Sequence, residues 1–121
     1  MPRVGRAVLP VLDLDEAIAW YGKFLGFRVL FDADIFPGFR SVHIGPSGTG
    51  EPGIWLFPTD SRTEAGHPSL VLYSDDLDAD AAILGDEQID VVRPFEGAPE
   101  SRSCQIRDPW GNVLVIAEDP R

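Results

Sequence analysis

The 121 residues, 44% hydrophobic and 10% aromatic, provide for one compact domain with a real apolar core and leave little room for a separate cofactor domain. Twenty acidic against ten basic residues give a net charge of −10. A field of that sign disfavours nucleic acid and anionic membrane surfaces as partners and would attract a cationic ligand.

Taken in chain order, Ala7 to Leu12 is a short β-rich run that ends at Asp13-Leu14-Asp15-Glu16. Asp13 or Asp15 is a natural N-cap, and Glu16 falls in a first turn where the helix dipole favours acid. The spacing of Ile18, Tyr21 and Leu25, widened by Ala17, Trp20 and Phe24, predicts an amphipathic helix that Gly26 terminates. Phe27 to Phe31 has strand composition, and a Phe36-Pro37-Gly38-Phe39 loop leads to a strand at Arg40 to Ile44. A Gly- and Pro-rich connection from Gly45 to Gly53 precedes a fourth strand, Ile54 to Phe57.

The same order then begins again. Leu70 to Tyr73 reads as a strand, Asp75 to Asp78 opens a helix through Ala81, Ala82 and Leu84, and strands follow at Ile89 to Val92, Ser103 to Ile106 and Val113 to Ile116. The last two are joined by Asp108-Pro109-Trp110-Gly111-Asn112, a hairpin turn in which Asp and Asn side chains cap the local backbone. An offset of 62 superposes Arg40-Ser41-Val42-His43-Ile44 on Arg102-Ser103-Cys104-Gln105-Ile106, and an offset of 63 superposes Asp13-Leu14-Asp15 on Asp76-Leu77-Asp78. The chain therefore reads as an α+β fold made of tandem β-α-β-β-β modules, at about residues 1–60 and 67–121 of a single domain, with Thr59 to His67 as linker. Each module leaves one sheet face without a helix. Two such faces can form a cup-shaped mixed sheet with the helices outside, and the cup is where a ligand would sit.

Cys104 is alone, so an internal disulfide and a Cys-rich zinc cluster are both excluded, and its strand-like surroundings predict a buried, inert thiol. With no signal-peptide core and no apolar run of membrane-crossing length, the expectation is a soluble cytoplasmic protein.

The segments Val11 to Ala17, Trp20-Tyr21, Leu25-Gly26-Phe27, Asp75 to Ala79 and Asp108 to Asn112 resemble the vicinal-oxygen-chelate superfamily, which includes glyoxalase I, extradiol dioxygenases and the fosfomycin- and bleomycin-resistance proteins. Metal-dependent members hold a divalent ion with His, Gln or Glu on the first and last strands of each module. Counting from the motifs, the resemblance places Arg6, Ser69, Val115 and Trp55 or Leu56 at those positions. None is a competent ligand, and the resemblance accordingly implies no metal and no cofactor. Other potential donors, His43, His67, Glu118 and Glu51, lie away from the family positions.

The opening strand, the helix with Trp20 and the Leu25-Gly26-Phe27 close are most similar to the bleomycin-resistance branch. That likeness implies a homodimer that takes up a small-molecule ligand, here a cationic antibiotic, without chemical change. Phe36, Phe39, Trp55, Phe57, Tyr73 and Trp110 are candidate lining residues, Trp110 because a large ring at an exposed turn needs something to cover it. His43 shares strand parity with Ser41 and either binds ligand, acts as a base, or is a hydrogen-bonded interior residue. Arg6 is a candidate contact for an anionic group. The alternative reading is a divergent metal-dependent lyase, isomerase or dioxygenase of the same superfamily.

Overall fold

The computed structural model describes residues 1–46, 52–86, 88–99 and 101–119. The chain divides into two compact units, Met1–Arg62 and Thr63–Arg121. The first contains β1 (Arg6–Val11), α1 (Leu14–Leu25), β2 (Arg28–Phe36), β3 (Phe39–Gly45) and β4 (Gly53–Pro58). The second repeats that order as β5 (Leu70–Ser74), α2 (Leu77–Leu84), β6 (Asp90–Glu96), β7 (Ser103–Arg107) and β8 (Val113–Glu118). Each unit is thus a β-α-β-β-β module with one helix and one four-stranded mixed sheet.

In the first unit Asp13 caps α1, its carboxylate accepting the backbone N–H of Glu16 at 2.8 Å. Gly26 ends the helix at φ 70°, a conformation that costs glycine nothing, and its N–H returns to the Tyr21 carbonyl. The sheet runs β1-β4-β3-β2, with β1 and β4 parallel and the other pairs antiparallel. Strand alternation sorts the side chains. Leu9 and Val11 of β1, Val42 and Ile44 of β3, and Ile54 and Leu56 of β4 are buried together with Ala17, Tyr21 and Phe24 of α1. Arg40 shares their face and reaches Asp15 of α1 at 2.9 Å and Asp32 of β2 at 2.8 Å, which pins the helix to that side. The Arg40 guanidinium in turn holds the Asp32 carboxyl below its ordinary range.

The strand β2 is longer than the sequence predicts and takes in Asp32-Ala33-Asp34, poor strand formers that the ladder to β3 holds extended. The expected four-residue loop is consequently a tight turn. Phe36 and Phe39 are paired strand residues, with Pro37 and Gly38 (φ 83°) between them.

In the second unit Asp76 caps α2 by accepting from Ala79, and Arg102 reaches Asp78 and Glu118, each at 3.3 Å. The sheet runs β5-β8-β7-β6. Its core contains Leu77, Leu84, Cys104, Ile106, Leu114 and Ile116. Asp108 Oδ1 accepts from the backbone N–H groups of Trp110 and Asn112 at 3.0 and 2.9 Å, so the 108–112 turn is a self-capped connection as predicted. Trp110 departs from expectation. Its ring is buried, 5% exposed, so it is a packed turn residue and needs no ligand to cover it. No helix among the described residues is long and apolar enough to cross a membrane.

Candidate ligand-binding site

The face of the first sheet opposite α1 is populated by the other strand parity. In register, Val8 faces Trp55, His43 faces Trp55 and Phe31 faces His43. Six rings follow one another across this face. Phe36 stacks on Phe39 at 4.9 Å between centroids, Phe39 meets Phe57 at 6.0 Å, and Phe57 meets Trp55 edge-on at 5.3 Å. Trp55 then stacks with His43 at 5.9 Å, and His43 meets Phe31 edge-on at 5.6 Å. Such offset and edge-on arrangements are the favoured geometries of aromatic pairs.

At the Phe31 end lies an open hollow of about 400 Å³ lined by Arg6, Phe31, Ile35, Ser41, His43 and Trp55. That is within the size range of small-molecule sites. Phe31 and Ile35 remain substantially exposed.

One polar chain crosses the hollow. Arg6 Nε donates to His43 Nδ1 at 3.0 Å, and His43 Nε2 lies 3.2 Å from Ser41 Oγ. A guanidinium can only donate, so Nδ1 must be the accepting nitrogen. The ring is therefore neutral with its proton on Nε2, which donates to Ser41. Burial, and then the neighbouring Arg6 charge, push the His43 pKa below its ordinary value. Neither ring nitrogen is free to accept a substrate proton in this arrangement. Arg6 Nη1 also donates to the Gly5 carbonyl at 2.7 Å, which fixes the guanidinium plane.

The hollow joins three of the expected site residues, Arg6, His43 and Trp55, and the ring run adds Phe36, Phe39 and Phe57. Tyr73 is on β5 of the second unit and is 63% exposed. Phe31, Ile35 and Ser41 are lining residues that the sequence reading did not single out.

A family model described as the Glyoxalase/Bleomycin resistance protein/Dioxygenase superfamily matches residues 3–116. The chain belongs to that superfamily. A member of the superfamily from Sphaerobacter thermophilus is 26% identical, with a TM-score of 0.83 and 98% of each chain covered. An antibiotic binding protein from Streptomyces sp. CB03234 is 25% identical, with a TM-score of 0.67 and 98% of each chain covered. A lactoylglutathione lyase from Agrobacterium tumefaciens is also 25% identical, with a TM-score of 0.69 over 98% of this chain and 94% of that one. A search of curated proteins by sequence gives no match. The superfamily thus spans binders and enzymes at the same distance from this chain.

The chelated divalent ion of the enzymatic members does not fit the residues present. Arg6 brings positive charge, Val115 brings no donor, and Ser69 offers one exposed hydroxyl. On β4 the alternation puts Trp55, not Leu56, on the open face. Of the displaced donors, Glu118 is engaged by Arg102, His67 is exposed with Nδ1 2.9 Å from the Pro68 carbonyl, and Glu51 is outside the described residues. Among the described residues no three His, Cys, Asp or Glu side chains group as a metal site.

Proposed function

We propose that this protein captures a planar aromatic small molecule on the open face of its first sheet and releases it chemically unchanged, as a metal-free binding protein of the antibiotic-sequestering kind. The observation that carries this reading is the run of six rings from Phe36 to Phe31 bordering a hollow of about 400 Å³. Rings held in mutual contact lose little freedom on binding and offer flat apolar area to a flat ligand. His43 supports the same reading, because its Nδ1 is taken by Arg6 and its Nε2 proton is given to Ser41, leaving no poised base. The similarity to an antibiotic binding protein points the same way.

Among the described residues the charged group lining this site is Arg6, not part of the acidic excess that predicts a cationic ligand. Homodimer formation belongs to the same proposal. Val8, Phe31, Ile35 and Phe36 form an exposed apolar surface on one sheet face, and covering it would complete the enclosure of a ligand.

The test is calorimetric and fluorescence titration with a panel of planar aromatic antibiotics, followed by mass spectrometry of the recovered ligand, with sedimentation run on the same samples. Saturable quenching of tryptophan emission with intact ligand recovered from a dimer is the expected result. Turnover of the ligand upon addition of divalent metal would instead establish the enzymatic alternative.

A further inference from the structure

We infer that the hollow selects flat aromatic molecules that carry an anionic oxygen group at one edge, a carboxylate, phenolate or sulfonate, and that Arg6 is the residue that reads this group. The inference rests on the ring-capture reading above and adds the charge and polarity of the ligand.

Arg6 differs in its company from four other arginines of the chain. Arg40, Arg93, Arg102 and Arg107 each pair with a carboxylate. Arg6 instead donates Nε to a neutral imidazole and one Nη1 hydrogen to a backbone carbonyl. Its Nη2 has no protein acceptor among the described residues. In a chain with twenty acidic residues, an arginine in an aromatic hollow that meets no carboxylate among the described residues keeps its charge available to a ligand.

The two bonds that Arg6 does make act as a clamp. Nε and one Nη1 hydrogen are taken, which holds the guanidinium plane and leaves the Nη2 hydrogens and the second Nη1 hydrogen to meet the oxygens of one group. Trp55 contributes a flat wall for the ligand's ring. Its indole Nε1 is buried without an acceptor among the described residues, and the ring lines the same hollow. Among the described residues the lining holds one charged donor, Arg6, and no carboxylate to receive a cation.

The net charge of −10 opposes an anionic ligand only from a distance. At physiological salt the screening length is about 8 Å, whereas a guanidinium hydrogen-bonds its anion in direct contact. The local pairing therefore decides the preference.

The test titrates anthracene-2-carboxylate and proflavine, a planar tricyclic anion and a planar tricyclic cation, into the intact protein at physiological salt. Tryptophan quenching and calorimetry are the readouts. The carboxylate is expected to bind at least about tenfold more tightly than proflavine. Arg6→Met should abolish that preference and Arg6→Lys should restore part of it, with circular dichroism showing that both variants fold. Equal or tighter binding of proflavine, with Trp55 still quenched, would overturn the role of Arg6 and leave ring capture standing. No quenching by either probe would overturn both. An unchanged preference in Arg6→Met would also refute the assignment.

Discussion

Arg6 Nε lies 3.0 Å from His43 Nδ1, a cation donating to an imidazole that can accept only while it is uncharged. Protonation of His43 would remove the acceptor and set two positive groups against each other. Burial and Arg6 together hold the folded-state pKa of His43 below the ordinary 6.5 that the unfolded chain retains. The unfolded state then binds this proton more readily than the folded one. Stability is complete above the ordinary value and is lost as pH falls below it. We expect the urea midpoint to drop between pH about 7.5 and about 5, and to drop less in His43→Gln. Identical pH profiles for the two proteins would refute the account.

Trp55 is the ring through which the run turns, touching Phe57 at 5.3 Å and His43 at 5.9 Å between centroids. Trp55→Ala removes both contacts and one wall of the hollow. The expected cost is about 2 kcal/mol, below that of a fully buried Trp because this one is half-buried. Ligand affinity should fall by at least about tenfold, while Trp55→Phe should keep most of both. Denaturant melts and calorimetry on the two variants check this. Unaltered ligand affinity in Trp55→Ala would place the binding surface elsewhere.

The repeat is the part of this molecule most legible in the sequence, and the structure gives it physical content. Asp15 and Asp78 stand at matching places in α1 and α2, and Arg40 in β3 is matched by Arg102, the residue immediately before β7. Both arginines reach their helix acid, at 2.9 and 3.3 Å. The offset matches therefore record a helix-to-sheet ion pair present in each module. Asp13, one of the two caps the sequence offers for the first helix, and the self-capped turn at Asp108 were also readable, because each depends on residues close in sequence. The hollow was only half readable. His43 and Trp55 follow from strand parity and Arg6 from its distance to the family motif, but register shifts interrupt β2 between Val29 and Phe31 and between Asp34 and Phe36. A bulge breaks the period of two, so the parity of Phe31 and Ile35 could not be carried along the strand. Ser41 was missed for another reason. Its contribution is a hydrogen bond to a side chain two residues on, which no composition rule marks. Trp110 was misjudged because a turn on paper reads as exposed, while here Asp108 and Asn112, each 1% exposed, anchor the turn so that Trp110 packs inward and Pro109 stays outside.

Gly53 opens β4 opposite Arg6 of β1, and a methyl group there has no room. An added Cβ would lie 2.7 Å from the Ile44 carbonyl oxygen, 2.8 Å from the Leu30 side chain and 3.4 Å from Arg6 Cδ. The carbonyl is backbone and cannot swing aside, so β3 and β4 must part locally. Gly53→Ala should destabilise by about 1–3 kcal/mol. It should also weaken anion selection by displacing Arg6. Gly66→Ala is the control, since nothing lies within 4 Å of its added Cβ and a near-neutral effect is expected. Equal melting curves for the two variants would contradict the close approach at Gly53.

Cys104 faces the core of the second unit opposite Ile116, with 2% of its surface exposed. Burial pushes its thiol pKa up to about 11, only partly offset by a backbone hydrogen bond from Ile116. Thiolate is the reactive form, so both access and ionisation oppose reaction in the folded protein. A disulfide reagent at mildly alkaline pH should leave the native protein unlabelled and modify one thiol per chain once urea unfolds it. The rate of slow native labelling should then follow global opening of the second unit, and should rise in parallel with any substitution that destabilises that sheet. Rapid stoichiometric labelling of the folded protein would show that β7 opens without unfolding, which its pairing to both β6 and β8 argues against.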